Sequence, residues 1–425
     1  MKKILLLSAL ECPYRGRLVE TQFLKPLLVA LEDLDNVRAT YLSIMPLFTF
    51  FSRRSLWGEW KLIGERRRRL RHWLKLKGVA FHSALAPYPL WNRQFNMNAK
   101  QAMLYTAFAL PSLLLYLSWQ RPSLIISRNY PATLLAWCAG RLSGLPYVFD
   151  MRGLYPEVSA NAGVYDDDSP DYRFWKRRER RLINEARCCV VVSQPFADHV
   201  RRLAEEANIA LIPCCVDTDE VKYDPGLRRE AKERYGLSQR FVLLHLGSFG
   251  TLSDRGLAAK YLKRFRRVRP EAVLVAATGT PAFVPQIEAA FLKEGLSPSD
   301  FKVIHPQPGQ LDEVRALGDA GLILERRAAN THASLPVKLG EYLASGLPVI
   351  CTPFVEGAAA LVRRYDCGLI VDPDDEDWPL DWERKFLARY PILRENGFRL
   401  VGEYLSIKQC ARRWRRMMEE VLKKE

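Results

Sequence analysis

The segment Ser334-Leu335-Pro336-Val337-Lys338-Leu339-Gly340-Glu341 places a helix start, a lysine and a glutamate within one turn and a half of each other. Pro336 suits the first helical turn, where a missing amide hydrogen costs nothing, and Gly346 in Gly346-Leu347-Pro348-Val349-Ile350 closes the helix before a strand. The free amides around Ser334, Pro336 and Val337 can then hold phosphate oxygens, aided by the helix dipole, and Lys338 adds a full positive charge. Glu341 lies three residues beyond Lys338, where a carboxylate can accept hydrogen bonds from both hydroxyls of a ribose. One helix would thus read a diphosphate and its attached sugar. An isolated lysine and glutamate at this spacing would be an ordinary surface pair; the proline and glycine around them set this pair apart.

Such a helix needs a parallel sheet behind it, and the chain supplies two. Apolar runs at Ile4–Leu10, Leu124–Ser127, Tyr147–Asp150 and Cys189–Ser193 alternate with helical segments at Thr21–Leu34 and Ala132–Leu142. A second series follows at Phe241–Gly247, Ala272–Thr278, Phe301–Ile304, Ala320–Leu324 and Pro348–Cys351. A chain of 425 residues exceeds one ordinary core, so the fold class is α/β with two Rossmann-like domains. Leu211–Asp217 leads into the polar, charged segment Thr218–Arg240, which puts the change of domain near residues 205 to 215. The expected divisions are 1–207, 208–400 and a terminal helix over 401–425, whose Cys410, Trp414, Met417, Met418 and Val421 demand a packing surface.

Composition narrows the class. With 48% hydrophobic and 26% charged residues the chain is neither disordered nor a fibrous repeat. Nine cysteines, two pairs of them adjacent, fit neither a zinc site nor a disulfide framework and suit a reducing cytoplasm. The run after Lys2-Lys3 is too short, and lacks the cleavage site, of a signal peptide, so it reads as a buried strand. Ala102–Trp119 carries no charge but has Pro111 at its centre, and is expected to be a buried domain helix. Much of the net charge of +16 lies over residues 48–77, where Arg66 to Arg69 and their neighbours are interleaved with Trp57, Trp60 and Trp73. That stretch fits either a solvated helix face above a few core aromatics or contact with anionic lipid headgroups. Nucleic acid is not expected as a partner.

The Ser334–Ile350 segment resembles the donor-site helix of family 4 of the GT-B glycosyltransferases, with serine-x-proline-x-lysine, glutamate-tyrosine and glycine-leucine-proline-valine in that order. The resemblance runs over most of the chain and implies two Rossmann-like domains facing each other across a cleft, with the terminal helix returning to the first. His245-Leu246-Gly247-Ser248-Phe249-Gly250-Thr251 resembles the family's donor-side glycine loop, in which Gly247, Ser248, Gly250 and Thr251 bring backbone amides close to a diphosphate. By position, Gly279 and Pro308 would wall the nucleobase. Two departures from the family pattern are Ala333, where many relatives have a second glutamate, and Ser248, where many have arginine. Neutralisation of the phosphates then falls mainly to Lys338 and the helix amides, or the donor set is unusual.

On the first domain, Asp150-Met151-Arg152-Gly153 resembles the acceptor loop of transferases of surface polysaccharide synthesis, where relatives often carry histidine or aspartate at the first position. Asp150 could accept a proton from the acceptor hydroxyl or orient the sugar; Arg152 could equally pair with it structurally. Gly16, Arg152 and Glu157 are the expected acceptor contacts. The acidic run Asp166-Asp167-Asp168 reads as solvated loop charge, and the resemblance implies no metal and no separate cofactor. What it implies overall is a retaining transfer of sugar from a nucleotide-sugar donor to a glycan or lipid-linked acceptor, with Asp150 and Lys338 in the catalytic set. A nucleotide-sugar epimerase of similar fold would bind the same donor without an acceptor, and remains the alternative.

Overall fold

The computed structural model describes residues 2–11, 13, 17–34, 36–46, 56–87, 96–247, 249, 253, 255–307, 309–372, 375 and 379–423, with backbone alone over 56–62. The chain divides into two compact units, Met1–Ile212 with Cys410–Glu425, and Pro213–Gln409. These divisions fall later than the sequence suggests, at both ends, for identifiable reasons. Ile209–Leu211 still pairs with the first sheet, and the chain after Leu400 stays bonded to the second unit through Val216 N to Leu405 O (2.9 Å) and Ile407 N to Val216 O (3.1 Å).

The first unit is a parallel sheet of β1 (Lys2–Ala9), β2 (Val37–Pro46), β3 (Ala80–Ala86), β4 (Leu124–Arg128), β5 (Tyr147–Asp150), β6 (Cys188–Val191) and β7 (Ile209–Leu211), in the order β3-β2-β1-β4-β5-β6-β7. Ile4, Leu5, Leu6 and Leu7 of β1 have no exposed surface, as a central strand covered on both faces requires. Successive strands step outward from β1 to β3, then resume at β4 and step the other way. The crevice beyond the carboxyl ends of β1 and β4 is therefore the topological switch point, where open parallel sheets bind ligands. The strands β2 and β3 are not marked by unbroken apolar runs: Arg38 and Ser43 interrupt one, and in the other His82 and Ser83 separate Phe81 from Leu85.

The second unit repeats the plan with β8 (Phe241–Leu246), β9 (Ala272–Ala277), β10 (Phe301–Ile304), β11 (Ala320–Ile323), β12 (Val349–Cys351) and β13 (Gly368–Ile370), in the order β10-β9-β8-β11-β12-β13. Its switch point lies beyond β8 and β11. Its core packs Phe241, Tyr261, Phe265, Phe291 and Phe301 from strands and covering helices.

The Ile407–Lys423 helix carries Trp414 and Met418 into the first unit without exposed surface, and is tied there by Lys2 Nζ to Leu422 O (2.6 Å) and Arg415 to Asp33 (3.2 Å). The Ala99–Gln120 helix corrects an expectation. It opens with a capping box between Asn98 and Gln101 and buries Ala102, Tyr105, Ala109, Leu113, Tyr116 and Leu117, but its opposite face, also apolar, is exposed. It is a domain helix with one face in the core, not a buried one. Asp166, Asp167 and Asp168 are exposed, and no group of three or more His, Cys, Asp or Glu among the described residues is placed to hold a metal ion.

Candidate functional site

In the second unit the strands are parallel, so Gly247 after β8, Gly279 after β9, His305 after β10 and Glu325 after β11 all lie along one edge of the sheet. The Val337–Ala344 helix is fixed to that edge by Tyr342. Its buried hydroxyl accepts a hydrogen bond from Leu246 N (2.7 Å) and points its proton at Leu322 O (3.4 Å), clipping the helix to both strands of the switch point. Gly321 makes room for the ring, since a Cβ there would fall 2.3 Å from it. Gly247 has φ +107°, a conformation open to glycine, and donates its amide to Ala277 O (2.9 Å).

Pro336 stands one position earlier than its sequence suggests. It is the N-cap, with extended backbone (φ −64°, ψ 136°), and the helix begins at Val337 with no capping side chain. The helix start is thus left for another acceptor of hydrogen bonds. Lys338 is mostly buried and sets its Nζ 3.8 Å from Glu325 Oε1. Thr352 anchors Glu325 from the next strand: its hydroxyl donates to Glu325 O (2.8 Å) and receives Glu325 N (3.2 Å). Burial lowers the Lys338 pKa, and Glu325 opposes that shift. Ser334, Val337 and Glu341 are half-buried along the same helix and its approach. Gly279 is exposed beside the buried Thr278, whose carbonyl lies 2.9 Å from His305 Nδ1. Of the expected donor contacts, Ser248, Gly250, Thr251 and Pro308 lie outside the described residues.

Below Lys338, His245 is buried and stacks on Phe249 with ring centroids 3.8 Å apart. Burial, reinforced by the Lys338 charge, holds its pKa well below the ordinary value. The folded chain therefore keeps this imidazole neutral while the unfolded chain takes up a proton below about pH 6.5. Because the unfolded state binds the extra proton, stability is expected to fall as pH drops through that value, by up to roughly 1.4 kcal/mol per pH unit. Urea unfolding followed at neutral and mildly acidic pH should show this decline in the native chain and a shallower one in His245→Leu; equal slopes would remove His245 as its source.

The first unit places a charged network at its own switch point. Arg128, the last residue of β4, donates from Nε to Glu11 Oε2 (2.8 Å) and from Nη2 to Glu11 Oε1 (3.0 Å), and its Nη1 lies 3.7 Å from Asp150 Oδ2. Arg152 Nε meets both Asp150 oxygens (2.9 and 3.0 Å) and its Nη2 donates to Gln22 O (2.5 Å). Asp150 has no exposed surface, and burial raises its pKa against the pull of the two arginines. Burial also pushes Glu11 upward, but Arg128, Arg152 and Asn129 outweigh it and hold that carboxyl below its usual range. The turns that deliver these groups are strained: Leu10 and Asn129 take φ of +65° and +76°.

Asp150 is thus paired by arginine, as its neighbour in sequence allowed, and Arg152 carries what little exposure the pair has, at 13% of its side chain. Glu157 stands apart. It lies in the Tyr155–Asn161 helix and is bonded to Lys176 Nζ (2.9 Å) and Tyr172 Oη (3.1 Å), while Lys176 also pairs with buried Glu179. Those bonds tie two helices together instead of joining the switch-point network. Gly16 lies outside the described residues. Glu11, Arg128, Glu325 and Tyr342 were missed by sequence reasoning, although Glu11, Arg128 and Glu325 each end or closely follow a strand beside a switch point.

Two Rossmann-like units in one chain, each with charged or glycine-bearing loops at its switch point and a terminal helix rejoining the first, make up the GT-B fold. Residues 76–220 match the family described as Glycosyltransferase Family 4. Among solved structures, sucrose-phosphate synthase from Thermosynechococcus elongatus is similar with a TM-score of 0.73 and 14% identity, over 100% of both chains. HepE of Anabaena in complex with UDP gives 0.66 and 13%, again over 100% of both. WaaG, a glycosyltransferase involved in lipopolysaccharide biosynthesis, gives 0.59 and 16%, over 96% of this chain and 98% of its own. At these identities the likeness is one of fold. No curated protein sequence matches the chain.

Proposed function

We propose that this chain is a glycosyltransferase that takes a nucleotide-sugar donor on its second unit and passes the sugar, with retention, to a hydroxyl of a glycan or lipid-linked acceptor bound by the first. The observation that carries the reading is the Lys338–Glu325 pair beside an uncapped helix start at the switch point of the second unit. Structures of HepE hold UDP, UDP-glucose, or UDP and glucose, which supports a nucleoside diphosphate donor on this fold.

Transfer leaves a nucleoside diphosphate whose terminal phosphate gains charge as the glycosidic bond breaks. A fixed ammonium and the amides of Val337 and Lys338 stabilise that charge without reorganisation, which is the efficient way to lower such a barrier. Glu325 opposes the lowering of the Lys338 pKa by burial. Glu341 takes the ribose hydroxyls, and Gly247 and Gly279 let the donor approach the backbone. Charge neutralisation is assigned to Lys338 and the helix amides, with no metal. On the acceptor side Arg152, held by Asp150, orients the incoming sugar. The proposed setting is surface polysaccharide or glycoconjugate synthesis at the cytoplasmic face of the cell membrane.

The test is a panel of nucleotide sugars assayed by nucleoside diphosphate release, with membrane extract as the source of acceptor. Release that depends on the extract is the expected outcome. Accumulation of an epimerised donor without release, or no calorimetric binding of any nucleoside diphosphate, would overturn the assignment.

A further inference from the structure

Two helices flank the edge strand β3 of the first unit from opposite faces. The His82 ring meets Tyr116 (5.3 Å) and Trp119 (5.4 Å) of the Ala99–Gln120 helix. The next residue, Ser83, receives Arg67 Nη2 (2.7 Å) from the Leu56–Leu76 helix. Adjacent residues of a strand point to opposite faces, so the two helices lie on either side of the edge.

What they present there is unlike. On the Leu56–Leu76 helix, Arg67, Arg71 and Lys75 recur every four residues, all exposed, as one cationic line with its first member on β3. On the Ala99–Gln120 helix, Leu104, Leu115 and Trp119 are 40%, 73% and 64% exposed. Their spacing of eleven and four residues puts them on one flank of that helix, the flank from which Trp119 reaches the edge strand. Leu85 of β3 is exposed as well. A helix on the surface of a soluble domain ordinarily turns polar residues outward, and a run of large apolar side chains there marks an interaction surface.

We infer that the β3 edge of the first unit docks on an anionic lipid bilayer, the Ala99–Gln120 helix supplying the apolar anchor and the Leu56–Leu76 helix the headgroup contacts. Charge complementarity selects this occupant. Arginine and lysine attract anionic headgroups, an indole settles at the level of those headgroups, and the leucines reach the acyl boundary. A second copy of this chain would bring cationic line against cationic line in a protein of net charge +16. The sequence pattern leaves residues 48–77 open to membrane contact or to a solvated helix face; the geometry moves the apolar half of the surface to a helix expected to be core.

The test is flotation of the full chain with phosphatidylcholine vesicles, with and without phosphatidylglycerol. The native chain is expected to float with the mixed vesicles and not with the neutral ones. Arg67→Gln/Arg71→Gln/Lys75→Gln should lower partitioning by roughly 100-fold. Leu104→Ser/Leu115→Ser/Trp119→Ser, at exposed positions and with circular dichroism unchanged, should lower it by roughly tenfold or more. No flotation with mixed vesicles, or native-like flotation of either variant, overturns the inference. So does a concentration-dependent dimer that the serine variant abolishes, which would give the surface to a second copy. None of these outcomes depends on the donor assignment.

Discussion

Replacing Lys338 by alanine is expected to cut nucleoside diphosphate release by about 10²–10³-fold, the usual cost of removing one fixed group that meets developing negative charge. The lysine is mostly buried, so water cannot replace its ammonium at full strength, and the helix start it accompanies has no side-chain cap to take over. The substitution also strands Glu325, whose carboxylate faces Lys338 from the end of β11. Glu325→Gln separates the two effects. It leaves the lysine but removes the charge that opposes its lowered pKa, so activity should shift its alkaline limb to lower pH while the native maximum is partly kept. The sign follows from the lysine: with its folded pKa further depressed, the ammonium is lost at lower pH. Steady-state release measured across pH for both variants checks this. Undiminished release in Lys338→Ala would take the leaving group away from this helix.

The second large effect concerns folding. Arg128→Ala removes the guanidinium that bonds Glu11 twice and lies 3.7 Å from Asp150, leaving Glu11 without its paired bonds and Asp150, which has no exposed surface, to Arg152. Breaking a buried ion pair by deleting one partner costs about 3–5 kcal/mol, because the remaining charge keeps its desolvation penalty. A loss of that size should appear as a lower urea midpoint. Asp150→Asn, which keeps a hydrogen-bonding side chain beside Arg152, should cost less. If Arg128→Ala unfolds at the native midpoint, the network contributes little to stability. Its strained turns at Leu10 and Asn129 would then need another explanation.

The signals that mark the Val337–Ala344 helix in the sequence are local: a proline, a lysine two residues on, and a glycine closing the helix. The alternation of strands and helices was legible for the same reason, since runs such as Ile4–Leu7 are buried on both faces and read as unbroken apolar stretches. Glu11, Arg128 and Glu325 carry no local pattern. Each is a charged residue at or after a strand, and only the order of strands shows which strand ends adjoin a switch point. Glu157 is close to Asp150 in sequence yet bonds elsewhere, because the intervening turn starts a helix that sets it against Lys176. The Ala99–Gln120 helix misled differently: it is apolar all round, and no periodicity distinguishes its core face from its exposed one.

Lys2 and Leu422 are joined across 420 residues of sequence, and Trp414 fills the core of a unit whose strands were completed at Ile209–Leu211. During synthesis on the ribosome, the first sheet therefore emerges with the seat for that indole vacant, and it stays vacant while the whole of Pro213–Gln409 is made. The earliest half of the molecule must wait for a plug translated long after it. Through that interval its nascent form exposes greasy surface that a chaperone would recognise.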